Sequence, residues 1–187
     1  MMVYFDLETG GVEMRHPVIQ LAAVAMDGET EVSTFAQRIA FNVDECDLDA
    51  LKMNHYTPEA WKDATPRAAI AGMFSAWLRP FCTVPKVSKA GNPYSVARLS
   101  GYNALTFDLP RLKALYGTQF FPCEYLVRDV LQRALFWFDE HPDAPKPENF
   151  KMATVAEAFG LSTDGAHDAL ADARMCAALA QQMREVD

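Results

Sequence analysis

An α/β architecture, a mixed β-sheet flanked by helices, is the fold class this sequence predicts. Three observations carry it. Three strand-like segments joined by short turns open the chain, helices and strands alternate after residue 65, and the 187 residues are half apolar, enough for one sizeable core. The expected organisation is one domain over 1–187, with loop insertions near 83–97 and 139–151.

Residues 3–9 mix β-branched and aromatic side chains in loose alternation and run into Gly10-Gly11, which predicts a first strand. A second, over 18–26, is almost wholly apolar, and Asp27-Gly28 turns the chain into a third over 32–39. Ile70, Met73, Phe74 and Trp77 recur at helical spacing and predict a helix over 65–77, with Thr65 as its cap, Pro66 in its first turn and Pro80 closing it. Residues 83–94 hold Pro85, Lys86, Lys89, Gly91, Asn92 and Pro93, the composition of a loop or a short ribbon. A strand over 98–102, a helix over 109–116, a strand over 125–128 and a helix over 130–138 follow. After a link over 139–150 with three prolines, two helices finish the chain, 153–159 closed by Gly160 and 169–183.

The net charge of −8 argues against a sequence-independent nucleic-acid coat, which relies on surplus Lys and Arg to neutralise phosphates. Cys46, Cys82, Cys123 and Cys176 are far apart, with no C-x-x-C pair, and read as reduced thiols. No apolar run reaches membrane-spanning length and the N-terminus has no leader pattern, so a soluble, unprocessed, cytoplasmic protein is expected.

Five ionisable side chains carry the functional signal. Asp6 and Glu8 are two apart on the first strand and project from one face; alone, the pair also fits a solvated edge strand. Asp172 falls inside the apolar arc formed by Ala169, Ala173, Cys176, Ala177, Ala180 and Met183, counted at about 100° per residue. A carboxylate buried there needs a cation, and no Lys or Arg neighbours it on that arc. Asp168 sits nearer the helix edge and reads as structural, a partner of the helix dipole. His167 precedes Asp172 by five residues, about 140° around a helix, so both reach one site only if His167 lies on the loop after Gly165. Its imidazole suits proton acceptance from water, though His16, His55 and His141 are alternatives and a lone His also fits a structural role. Asp108 stands at a strand-to-helix junction where, taken alone, capping explains it better. Carboxylates converging on one point repel each other unless divalent cations hold them, which points to a metal-dependent enzyme.

Phe5-Asp-Leu-Glu-Thr-Gly10, Gly101-Tyr-Asn-x-x-x-Phe-Asp108 and Ala166-His-Asp-Ala-Leu-Ala-Asp-Ala173 resemble, in order and spacing, the three exonuclease motifs of the DEDDh (DnaQ-like) superfamily. That superfamily includes the proofreading subunit of bacterial replicative polymerase, exonuclease-I-like enzymes, RNase T and oligoribonuclease. The three residues between Asn103 and Phe107 are more like exonuclease I than like many proofreading subunits, which have two. The resemblance implies an RNase-H-like fold and 3′-to-5′ removal of nucleotides. By position, Asp6, Glu8, Asp108 and Asp172 match the metal-binding carboxylates and His167 the general base, with two Mg²⁺ or Mn²⁺ ions about 4 Å apart as cofactors. Leu7, Thr9, Gly10, His55, Asn103 and Phe107 are the candidates to hold the terminal nucleotide, His55 through a segment, Asn54 to Glu59, that resembles the family's contact to it. Single-stranded DNA is the expected substrate, with an exoribonuclease or a non-catalytic nucleic-acid-binding accessory subunit as alternatives. A polymerase or other replication partner is implied by the same resemblance, and Lys86, Lys89, Arg98, Lys146 and Lys151 fit either a strand-guiding rim or plain solvation.

Overall fold

The computed structural model of the chain describes residues 1–185. Its centre is a five-stranded mixed sheet of β1 (Met2–Thr9), β2 (Val18–Asp27), β3 (Thr30–Arg38), β6 (Leu99–Gly101) and β7 (Arg128–Asp129), in the order β3-β2-β1-β6-β7. The first three strands are antiparallel neighbours, and β6 and β7 join parallel.

Period-two alternation along β1 decides where everything else goes. Val3, Phe5 and Leu7 enter a core shared with α2 (Arg67–Leu78) and α3 (Asp108–Tyr116), while Tyr4 enters a second core with α4 (Val130–Glu140), α5 (Met152–Ala158) and α6 (Ala169–Glu185). Asp6 and Glu8 therefore share the Tyr4 face, the one α6 covers. β2 is buried on both faces, with Leu21 and Ala23 in one core and Val24 and Met26 in the other, which is why its sequence is a continuous apolar run. Each fully buried side chain such as Phe5 or Leu179 contributes about 1.5–3 kcal/mol relative to exposure.

The expected elements appear with shifted ends. β3 begins at Thr30, and α2 begins at Arg67 because Thr65 belongs to the sheet edge: its N–H donates to Arg38 O and its hydroxyl to Gln37 Oε1. The stretch over 83–94 forms a two-stranded ribbon, β4 (Val84–Val87) with β5 (Pro93–Val96). The strand expected over 125–128 shrinks to the two residues of β7. Helix α1 (Leu48–Met53) has no counterpart in the sequence expectation, being six residues with a weak apolar period.

Among the described residues, no helix is long and apolar enough to cross a membrane.

Candidate active site

The carboxyl ends of β1 and β6 carry the polar residues. Asp6 pairs in register with Ala22 and Glu8 with Gln20, and a bulge between Glu8 and Thr9 ends the regular ladder there. The small Ala22 leaves room beside Asp6. Across that face, α6 brings Asp172 inward, 8% exposed, as is Glu8. One ligand atom each of Glu8, His167 and Asp172 lies within 4.8 Å of the others.

The turn before α6 makes this possible. His167 has φ +69 and Gly165 φ +81, so the backbone doubles back and leaves the imidazole on the exposed rim of the site. The His167 N–H donates to Asp172 Oδ2 at 3.2 Å. Asp168 caps the helix: Oδ1 accepts from the N–H groups of Leu170 and Ala171, and Oδ2 accepts from Gln20 Nε2 at 3.1 Å.

Asp108 is the first residue of α3 and only 4% exposed. It is held by a hydrogen bond from the Leu7 backbone and faces the Arg111 guanidinium. Asn103, at φ +54, accepts from the Thr106 hydroxyl through Oδ1 at 2.6 Å.

Two clefts meet at this point. The first, about 730 Å³, is lined by Leu7, Glu8, Thr9, Val12, Asn54 and Phe107 among others, and the second, about 550 Å³, by Tyr102, Asn103, Lys151, His167 and Asp172 among others. Met53 borders both, so the acidic group sits between them. Of the sequence candidates for nucleotide contact, Leu7, Thr9, Asn103 and Phe107 line a cleft. His55 is exposed and lines neither, and its neighbour Asn54 takes that place. Gly10 also lines neither: a Cβ there would stand 2.3 Å from Cys46 Sγ, so its glycine is needed for packing.

The electrostatics follow from burial and crowding. Burial, then the charges of Asp108, Glu8 and Asp172, push the Asp6 carboxyl well above the ordinary carboxylate range, although part of its surface is accessible. Burial, then Asp172 and Asp108, push Glu8 up to about 8. Asp108 also rises to about 8 through burial, opposed by Arg111 and by the Leu7 hydrogen bond. Asp172 is raised by burial, opposed by the hydrogen bond and charge of His167.

A hard divalent cation fits these residues. Asp172 Oδ1 is buried and has no hydrogen-bond partner, an atom whose desolvation is uncompensated within the chain. The donors around it are carboxylate oxygens with one imidazole.

Three supporting residues are not among the sequence candidates, although Asn54 opens the segment that supplied His55. Asn54 is buried and donates from Nδ2 to Thr9 O at 2.9 Å, fixing the end of β1. Asp129 accepts from the N–H groups of Asn103, Leu105 and Leu131. Arg111 reaches Phe107 O and Val12 O. Asp129 carries a local signal as an Asp immediately before a helical run, and Asn54 one through its segment; Arg111 carries none. Of the five basic residues named as a rim, Lys86 and Arg98 instead pair with the buried Glu124, at 2.9 and 3.4 Å. They lie beside the start of β1, where Val3 N–H donates to Arg98 O, at the opposite end of the strand from Glu8.

No family model and no curated protein matches the chain. Solved structures do. Escherichia coli exonuclease I in complex with a dA16 oligonucleotide matches with TM-score 0.75 and 21% identity, over 98% of this chain and 40% of that one. The zinc-ion-bound form of the E. coli exonuclease I–ssDNA complex gives TM-score 0.74 and 20% identity over the same shares. A moderately thermophilic exonuclease I from Methylocaldum szegediense gives 0.72 and 19%, over 100% of this chain and 40% of that one. The likeness is one of fold, an RNase-H-like mixed sheet flanked by helices, and this chain spans about two-fifths of the length of those structures.

Proposed function

We propose that the chain is a divalent-cation-dependent 3′-to-5′ exonuclease of DEDDh type that releases nucleoside monophosphates from single-stranded DNA. The observation that carries this reading is the grouping of Glu8, His167 and Asp172 where two clefts meet, with a buried, unpartnered Asp172 oxygen, and with the Asp6 carboxyl raised by the charges of Asp108, Glu8 and Asp172 beside it. The solved structures of the same fold include exonuclease I complexes with oligonucleotides, which supports the substrate class.

Asp6, Glu8 and Asp172 would hold one Mg²⁺ or Mn²⁺, and Asp6 with Asp108 a second. When bound, such cations acidify water and neutralise charge developing on phosphate oxygens. The chain's own residues do the rest. His167, on the rim within reach of Glu8 and Asp172, accepts the proton of the attacking water. The Leu7–Thr9 backbone and Phe107 bound the first cleft and would seat the terminal sugar and base, while Asn103 borders the second, where the next nucleotide would lie. Contact to a base through an aromatic face tolerates any sequence, which suits stepwise trimming. The reading includes no polymerase partner.

The test is incubation with 5′-labelled single-stranded DNA, duplex DNA and RNA, each with Mg²⁺ and with EDTA. A ladder shortening from the 3′ end of the single strand, abolished by EDTA, is expected. Faster trimming of RNA would reassign the substrate, and no shortening in Mg²⁺ would end the reading.

A further inference from the structure

We propose that Arg111 is a positioning residue for the 3′-terminal nucleotide: it clamps the two walls of the first cleft together and fixes the Phe107 ring as a stacking face for the terminal base. The inference rests on the exonuclease reading and adds to it a residue outside its three motifs.

Arg111 lies one turn beyond Asp108 on α3 and is 4% exposed. Nη1 donates to Phe107 O at 2.8 Å, and Nη2 donates to Val12 O. Its guanidinium carbon stands 3.7 Å from the Phe107 ring centroid, a cation–π contact that occupies one face of the ring. Val12 and Phe107 both line the first cleft, and they come from segments far apart in the chain. The guanidinium is thus the strut that sets their separation.

An apolar side chain would fill the same space more cheaply. Burying a guanidinium costs several kcal/mol unless it is well paired, and here Nε is buried with no partner. Hydrogen bonds to two backbone carbonyls offset part of that cost. What the charge adds over packing is geometry: a planar fork bonds two carbonyls at once while its face lies on a ring, which neither Lys nor Met can do. With one face held, the partly buried Phe107 ring has a fixed orientation to offer the cleft, and a base stacking on its other face loses less freedom on binding.

The experiment uses the full chain and Arg111→Lys, Arg111→Gln and Arg111→Met. KM and kcat are measured for trimming of an ordinary single strand and of one whose 3′-terminal residue is abasic, and dTMP affinity is measured by titration without turnover. Arg111→Lys, which keeps a charge near Asp108, should raise KM about threefold on the ordinary strand with kcat within about twofold, and Arg111→Met and Arg111→Gln should raise KM about tenfold, with any loss of kcat from the charge removed near Asp108 equal on the two strands. On the abasic end the KM of all three should match the wild type, and dTMP affinity should fall in parallel with the rise in KM on the ordinary strand. Where Arg111→Met fails to fold by circular dichroism, the Lys and Gln variants carry the same comparison. An unchanged KM, an equal rise on the abasic strand, or a loss confined to kcat would overturn the proposal. A wild type that leaves 3′ ends intact overturns the exonuclease reading itself, whereas a trimming wild type with unaltered variants overturns this inference alone.

Discussion

The backbone N–H of His167 is bonded to Asp172 Oδ2, so the carboxylate that faces Glu8 also anchors the loop presenting the imidazole. The left-handed φ of His167 sets the ring over the acidic group, while its exposure leaves the ring open to water. Because the anchoring donor is backbone, His167→Ala keeps the loop and removes only the ring. Turnover should fall by about 10²- to 10⁴-fold, the usual contribution of a general base, while single-strand affinity stays within a fewfold. Equal losses in turnover and affinity, read from single-turnover kinetics and a binding titration, would make His167 a positioning residue.

Asp6 is the most crowded of the carboxylates, with four acidic neighbours, Asp108, Glu8, Asp172 and Asp168, raising it. Asp6→Asn preserves size and removes charge. Cation-dependent hydrolysis should drop by roughly three orders of magnitude, as when a key electrostatic group at a reacting centre is lost. Circular dichroism should be unchanged, and an Asp6→Ala protein that still shortens single strands contradicts the assignment.

The same crowding makes stability depend on pH in an unusual direction. Glu8 and Asp108 sit near 8 in the folded chain, against about 4 when unfolded. Between those values the folded chain binds more protons than the unfolded one, so stability falls as pH rises through the window. In EDTA, Tm should decrease by about 5–10 °C from pH 6 to pH 9, and saturating Mn²⁺ should flatten the slope. A Tm that climbs over this range in EDTA would show that the acidic groups are not crowded in solution.

Residues with a strong local pattern were readable from sequence. The alternation in residues 3–9 put Asp6 and Glu8 on one face, and the arc of α6 placed Asp172 inward, and both hold in the structure. Asp168 was readable as structural, though its Gln20 partner, 148 residues away, was not. Arg111 was missed because its meaning lies in Val12 O, 99 residues away, and backbone carbonyls leave no mark on a sequence. Helix α1 was missed because six residues hold too few turns to show a period, yet it delivers Met53 and Asn54 to the clefts. For the basic residues near the ribbon, composition left a rim and plain solvation both open, and it could not show that Lys86 and Arg98 pair with a buried carboxylate that no local pattern links to them.

Asp129 gives the sharpest separation between holding the fold and serving the site. Its carboxylate caps α4 through Leu131 N–H and also grips the 103–105 turn through two further N–H groups, each at 3.0 Å. Asp129→Ala should cost about 1–3 kcal/mol, a lost cap plus two unpartnered donors at a part-exposed turn, and lower Tm by about 3–8 °C. The left-handed Asn103 depends on that grip more than the helix does, because a helix end can recruit water whereas a strained turn relaxes. The loss in kcat/KM should therefore exceed what the unfolded fraction explains, by about tenfold at a temperature well below Tm, and Asp129→Asn, which keeps one acceptor, should recover part of it. A stability loss of that size with kcat/KM unchanged would mean that the Thr106–Asn103 hydrogen bond alone maintains the turn.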